Sequence, residues 1–183
     1  MSSENEAPRQ RLFFALWPER NIQKRMGHLA DRCAKTCGGK QVPEANIHLT
    51  LAFLGGVTPE QRGCLETVAN QIAVAPFELV LDRIGYWSRS RALWLSTTKT
   101  SPELLELAMA LRAAMSLCGL EVEDRPFQTH LTLRRRAHRG PRFREIEPIF
   151  WSAKDFALVA SDTRPEGACY QVLHRWQLVA SGE

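Results

Sequence analysis

The chain has 183 residues, 44% of them apolar and 24% charged, with a formal net charge of +4. That length suits a single domain with a core large enough to need no metal or disulfide staple. No apolar run approaches the roughly 20 residues of a membrane span, and the start, Met1-Ser2-Ser3-Glu4, lacks the basic and apolar regions of a secretory signal, so the expected location is the cytoplasm.

Residues 1–10 are polar and expected to be disordered or frayed, leaving one domain over 11–183. Residues 11–17 (RLFFALW) form a short apolar run read as a buried strand. Pro18 is expected to start a helix, with Ile22, Met26, Leu29, Ala30 and Cys33 at helical spacing and Gly38-Gly39 at its end. A loop through Pro43 then leads to a strand over 47–54. Thr58, Pro59 and Gln61 form a capping box for a second helix, whose apolar stripe is Leu65, Val68, Ala69 and Ile72.

Residues 77–84 alternate as a half-buried strand, 85–90 read as a turn, and 92–97 as the next strand. Ser101-Pro102 caps a third helix that runs through Leu104, Leu107, Leu111 and Met115 to Cys118. A loop over 121–126 precedes another strand. Residues 153–161 and 170–180 read as two final strands, with Pro165-Glu166-Gly167 turning between them. Cys33, Cys37, Cys64, Cys118 and Cys169 are odd in number and widely spaced, so all are expected to be reduced, most of them buried on apolar helix faces. Cys33, Cys37 and nearby His28 match no zinc-finger spacing, and no metal or other cofactor is expected.

One four-residue segment occurs twice: His48-Leu49-Thr50-Leu51 and His130-Leu131-Thr132-Leu133. Side chains alternate along a strand, so in each copy the histidine and threonine share one face and the two leucines anchor the other. Pro18 precedes His48 by 30 residues and Pro102 precedes His130 by 28. A strand, a helix, a loop and a motif strand therefore recur in order. That weak internal duplication suggests two lobes related by a pseudo-twofold axis, with the polar faces of the motifs meeting across a groove. The remaining histidines, His28, His138 and His174, have no paired hydroxyl and read as structural.

Two imidazoles can divide the work of a base and an acid near neutral pH. Thr50 and Thr132 can donate to the non-bridging oxygens of a phosphodiester, and Arg135 can add a charge-assisted contact. Six arginines, Arg134, Arg135, Arg136, Arg139, Arg142 and Arg144, follow the second motif, as expected beside a nucleic-acid phosphate. No Asp or Glu lies within three residues of either histidine. That pattern disfavours a two-metal site and favours a substrate already activated, such as a strained cyclic phosphate.

Paired His-x-Thr-x motifs resemble the hallmark of the 2H phosphoesterase superfamily. The closer resemblance is to the bacterial RNA 2′,3′-cyclic phosphodiesterase, or 2′-5′ RNA ligase, family. It extends over RLFFAL, NIHLTLAFLG, RPFQTHLTLRR, the stretch from Arg89 to Leu95 and the ending from Tyr170 to Trp176.

The resemblance implies an α+β fold that is bilobal and duplicated, two antiparallel sheets flanking a central groove with helices on the outside. It implies a monomer that opens the 2′,3′-cyclic phosphate end of RNA, or of tRNA-like fragments, to a 2′-phosphate without metal. His130 would act as proton acceptor and His48 as proton donor, with Thr50, Thr132 and Arg135 on the phosphate. Run backwards, the same chemistry joins RNA ends through a 2′-5′ linkage without ATP. Phe13 and Phe14 are candidates for a base-stacking wall. The family commonly has proline just before the second histidine, where Thr129 stands here. Two other readings fit the same motifs: a non-catalytic RNA-binding module, and a 2H esterase acting on small cyclic nucleotides or 2′-5′ oligoadenylates.

Overall fold

The computed structural model describes residues 8–143, 145–164 and 167–180. Residues 1–7, Arg144 and the Pro165-Glu166 part of the expected turn lie outside them.

The described chain is α+β. Its strands are β1 (Gln10–Leu16), β2 (Lys40–Gln41), β3 (Leu49–Val57), β4 (Phe77–Trp87), β5 (Ala92–Ser96), β6 (Leu131–Arg135), β7 (Glu145–Ala153), β8 (Asp155–Arg164) and β9 (Gly167–Gln177). Its helices are α1 (Arg20–Cys37), α2 (Pro59–Ala69) and α3 (Pro102–Leu117). Each helix forms where the sequence places a stripe and a cap. Thr58 Oγ1 accepts from the Gln61 amide at 3.3 Å while Gln61 Oε1 accepts from the Thr58 amide at 3.1 Å, satisfying two donors at the start of α2. Ser101 Oγ accepts from the Leu104 amide at α3. The first helix starts later than expected, at Arg20 with Glu19 in extended conformation before it, and Pro18 is buried just outside.

The strands pair antiparallel in the order β7-β4-β5-β6-β3-β1-β8-β9, with β2 added to β6. The two sheets expected from the sequence are thus joined into one path. The join is narrow: β3 and β6 meet at a single register pair, Leu49 with Leu131. The motif strands therefore sit at the centre of the sheet, side by side, and diverge from that pair. Their leucines face the main core: Leu49, Leu131 and Leu133 are fully buried. Helix α3 packs on β3, and α1 on β6 and β7. The opposite, helix-free face of β1 and β8 carries a smaller cluster of Phe13, Ala15, Ala157 and Val159, with Trp17 and Tyr170 against it.

Three further expectations are corrected. The turn read at 85–90 is later, because Gly85, Tyr86 and Trp87 pair with Trp94, Leu93 and Ala92. The reversal is closed by Arg91 at φ 54°, which the adjoining chain holds: its carbonyl accepts from the Ala137 amide and its Nε donates to the Ala137 carbonyl. Strand β7 has no counterpart in the sequence reading. It contains Pro148, which argues against a strand, yet it lies at the edge of the sheet, where proline is tolerated. Finally, Cys64 and Cys118 form a disulfide between α2 and the C-cap of α3, with Cα atoms 5.7 Å apart. Cys33 and Cys37 are buried free thiols and Cys169 is exposed.

Candidate active site

His48 and His130 each stand one residue before their strand, β3 and β6. Each ring is fixed in the same way. His48 Nδ1 lies 2.7 Å from the carbonyl of Asn46, and His130 Nδ1 lies 2.9 Å from the carbonyl of Gln128. A carbonyl oxygen only accepts, so Nδ1 carries the hydrogen in both, and Nε2 is left for chemistry.

The rings differ in their surroundings. His48 stacks on Trp17 (centroids 4.9 Å apart, planes 3° apart) and on Phe13 (4.9 Å, 29°), with Tyr170 edge-on at 5.2 Å. His130 meets Trp87 edge-on at 4.8 Å. Burial lowers the pKa of His48 from an ordinary value near 6.5 to about 4; the charge of Arg135 and the nearness of His130 add to this, and the hydrogen bond to Asn46 opposes it. At neutral pH, His48 is therefore the uncharged imidazole.

A cleft of about 500 Å³ brings together His48, Thr50, His130, Thr132 and Arg135. The sequence pattern explains four of the five. Arg135 needs a further device, because strict alternation from Thr132 would turn Arg134 toward the cleft and Arg135 away. The register between β5 and β6 slips here: Trp94 faces Thr132 but Leu93 faces Arg134, leaving Leu133 as an extra residue. This bulge lets Leu133 and Arg134 share the buried face and returns Arg135 to the cleft. The first motif does the same. Ala15 faces Thr50 and Phe14 faces Ala52, so Leu51 is the extra residue and Phe53 emerges beside Thr50. Phe53 is 51% exposed, lines the cleft and carries the Arg11 guanidinium 5.6 Å above its ring.

Arg134 is instead structural. Only 6% exposed, it donates to the carbonyls of Ala30, Gly38 and Gly39 and to Gln41 Oε1. It thereby pairs two carbonyls just past the end of α1, those of Gly38 and Gly39, and reaches one within the helix, that of Ala30.

The two phenylalanines part company. Phe14 is fully buried against Phe156 and Trp176 on the far face, so it cannot meet a base; adjacent residues of a strand point to opposite sides. Phe13 reaches the cleft but is 3% exposed, and its ring is taken up by His48 and Tyr170. The sequence reading missed Trp17, Asn46, Phe53, Trp87 and Tyr170 as neighbours of the motifs. Trp17 and Phe53 did carry a signal, since each is an aromatic within a few residues of a motif strand or its partner. Among the described residues, no group of three or more His, Cys, Asp or Glu side chains is arranged to hold a metal ion.

Residues 18–164 match the model of the 2′-5′ RNA ligase superfamily. This chain belongs to that superfamily. It is 36% identical to the RNA 2′,3′-cyclic phosphodiesterase of Escherichia coli K12 over 173 residues, covering 92% of this chain and 97% of the relative. It is 32% identical over 181 residues to the protein of the same name from Thermus thermophilus, covering 92% and 90%. The crystal structure of E. coli LigT complexed with 3′-AMP superposes with a TM-score of 0.87 at 34% identity, covering 93% of this chain and 98% of that one. In this member of the 2′-5′ RNA ligase superfamily, both His-x-Thr motifs and Arg135 line one cleft.

Proposed function

We propose that this protein hydrolyses the 2′,3′-cyclic phosphate end of RNA to a 2′-phosphomonoester, without metal. The observation that carries the reading is the pairing of two carbonyl-anchored imidazoles and two threonines with one arginine around a single cleft. Arg135, Thr50 and Thr132 would hold the non-bridging oxygens and stabilise charge as the phosphorus becomes five-coordinate. His130 Nε2 takes the proton of the attacking water, and His48 Nε2 gives a proton to the departing 3′ oxygen.

His48 must be protonated for that role, and burial favours its neutral form. The substrate supplies the change. A phosphate anion about 4 Å from the ring favours the imidazolium by about 4 kcal/mol at an effective dielectric of 20. That exceeds the roughly 3 kcal/mol represented by a pKa lowered to about 4. The same anion compensates the charge of Arg135, removing one of the causes of the lowering.

We further read the chain over 11–183 as one domain with two lobes related by a pseudo-twofold axis. Outward from the central pair, one half runs β3-β1-β8-β9 and the other β6-β5-β4-β7. In each half the innermost strand bears the motif and its neighbour is the strand that precedes the long helix. A monomer in the cytoplasm acting on RNA ends, tRNA-like fragments included, fits this reading.

The test is product analysis on an oligoribonucleotide ending in a 2′,3′-cyclic phosphate. A 2′-phosphate product, retained in chelator and lowered 10²–10⁴-fold by either His48→Ala or His130→Ala, supports the reading. Binding of the oligonucleotide with no turnover would leave an RNA-binding module. Equal rates on a cyclic mononucleotide and on the oligonucleotide would point to a small-molecule esterase.

A further inference from the structure

Each motif histidine is oriented by the carbonyl two residues before it, that of Asn46 for His48 and that of Gln128 for His130. The next carbonyl along is held in each half by a buried polar side chain. In the first half, Gln23 of α1 is 4% exposed, and its Nε2 donates to the carbonyls of Ala45 (3.2 Å) and Ile47 (3.4 Å), on either side of Asn46. In the second half, Ser96 at the end of β5 is 7% exposed, and its Oγ donates to the Thr129 carbonyl at 2.5 Å. Ile47 and Thr129 are the residues immediately before the two histidines. The held carbonyl thus has the same place in both halves, although one donor is an amide on a helix and the other a hydroxyl on a strand.

Polar side chains are costly to bury, and this fold buries few. Among the described residues they are Gln23, Ser96, Thr97, Thr129 and Arg134. Two of these hold the approach to a motif histidine, and Thr129 is itself one of the residues held. The sheet ladder begins too late to do so: β3 starts at Leu49 and β6 at Leu131, after both carbonyls. A peptide unit is planar, so holding its oxygen fixes the plane that ends at the histidine Cα. Only the two backbone dihedrals of Ile47, or of Thr129, then separate that plane from the carbonyl that meets Nδ1. When the plane turns, the Nδ1 bond is lost, the ring swings, and its hydrogen is free to move to Nε2. A neutral imidazole with its hydrogen on Nε2 has no lone pair there to accept a proton.

We infer that Gln23 and Ser96 are positioning residues, each clamping the peptide before one histidine so that Nδ1 keeps its hydrogen and Nε2 is presented to the cleft. Neither side chain lines that cleft, so both act through the backbone and the ring. This lies beyond the function proposed above and rests on it only for the effect on rate. The two clamps are independent of each other: Gln23 serves His48 alone, and Ser96 serves His130 alone.

Imidazole nitrogen NMR at about pH 8 reads the tautomer of each ring, with His48→Asn and His130→Asn to assign the signals. Steady-state hydrolysis of a cyclic-phosphate oligoribonucleotide is measured on the same proteins. The variants are Ser96→Ala, Ser96→Thr, which keeps the hydroxyl, and Gln23→Met, which keeps the length and loses the donors. Ser96→Ala deletes one atom and Gln23→Met is close in volume, so both are expected to fold. Wild type should carry the hydrogen on Nδ1 in both rings. Ser96→Ala should turn His130 alone into a mixture of tautomers, and Gln23→Met should do so for His48 alone. In each, kcat should fall about tenfold or more with KM within about twofold of wild type, and Ser96→Thr should restore both the His130 signal and kcat. Unchanged tautomers beside a lowered kcat would make the two side chains packing residues and overturn the inference. Disturbance of both rings by either variant, or wild-type kcat in both variants, would overturn it too. Absence of hydrolysis from the wild type would instead sink the function proposed above, and the ring-by-ring tautomers would still decide for or against the clamps.

Discussion

Arg134 and Arg135 are adjacent in the chain and face opposite sides of the sheet, and the one facing the cleft is the one that simple alternation would have buried. The extra residue Leu133 makes the difference. Its counterpart Leu51 does the same for Phe53 in the first motif strand. The duplicated motif is therefore longer than its four matching residues: each copy includes a bulge and delivers a third side chain to the cleft, a cation from one half and an aromatic ring from the other.

Substitution should separate the two arginines cleanly. Arg135→Ala removes a cation from the phosphate site and nothing from the fold, so kcat/KM on a cyclic-phosphate oligonucleotide should fall about 10²–10³-fold with Tm unchanged. Arg134→Ala strands the carbonyls of Gly38 and Gly39 just past the end of α1 and loses the bond to Ala30 within it. It should cost about 3 kcal/mol of stability, which in a chain of this size is roughly 6–12 °C of Tm. Thermal melts beside steady-state kinetics check both. Matching Tm losses for the two variants would contradict the facing assigned to them.

Trp17 controls the protonation of His48, because burial is the largest cause of its lowered pKa and Trp17 covers one face of the ring. Trp17→Ala admits water to that face, so the pKa should rise from about 4 toward 6.5. Imidazole proton NMR over pH 3–8 resolves this, with His48→Asn to assign the signal. In wild type the same signal should titrate at higher pH once a 2′-nucleotide is bound, because the added anion stabilises the imidazolium. An unmoved titration on ligand binding would remove His48 as the acid.

The same lowering makes stability depend on pH. Because His48 titrates near 4 when folded and near 6.5 when unfolded, the unfolded chain binds more protons between those values. The contribution of His48 is complete above about 6.5 and is lost as pH falls through 4. Tm measured at pH 7 and pH 4.5 should therefore differ by less in His48→Asn than in wild type. An equal difference in both proteins would show that the ring is solvated in the folded state.

The site was legible to the extent that it rests on side-chain period. His48 with Thr50 and His130 with Thr132 are two residues apart, and any strand brings such pairs to one face. Arg135 was legible only as a cation close to the second motif, since the bulge that turns it into the cleft leaves no mark in the alternation. Phe14 was misread for the complementary reason: it is as aromatic as Phe13 but one residue out of phase. Strand β7 was hidden by Pro148, whose missing amide matters only in the interior of a sheet. The joining of the sheets depends on one pair, Leu49 with Leu131, and a contact between residues 82 positions apart has no local signature. The Cys64–Cys118 bond is of the same kind.

That bond gives the last prediction. It closes a loop across 54 positions, and the chain-entropy model assigns about 4 kcal/mol of stability to a loop of that size. It ties α2 to the C-cap of α3, and neither cysteine lines the cleft that holds the motif histidines. Reduction, or the double substitution Cys64→Ser with Cys118→Ser, should therefore lower Tm by several degrees while hydrolysis at 25 °C keeps its rate. Free Cys33 should not substitute for either partner: burial, reinforced by Cys37, pushes its thiol up to about 11, and the thiolate is the reactive form. Thiol counting under denaturing conditions before and after reductant should return two additional groups. Five free thiols in the untreated protein, with no change of Tm on reduction, would show that the two helices are held by packing alone.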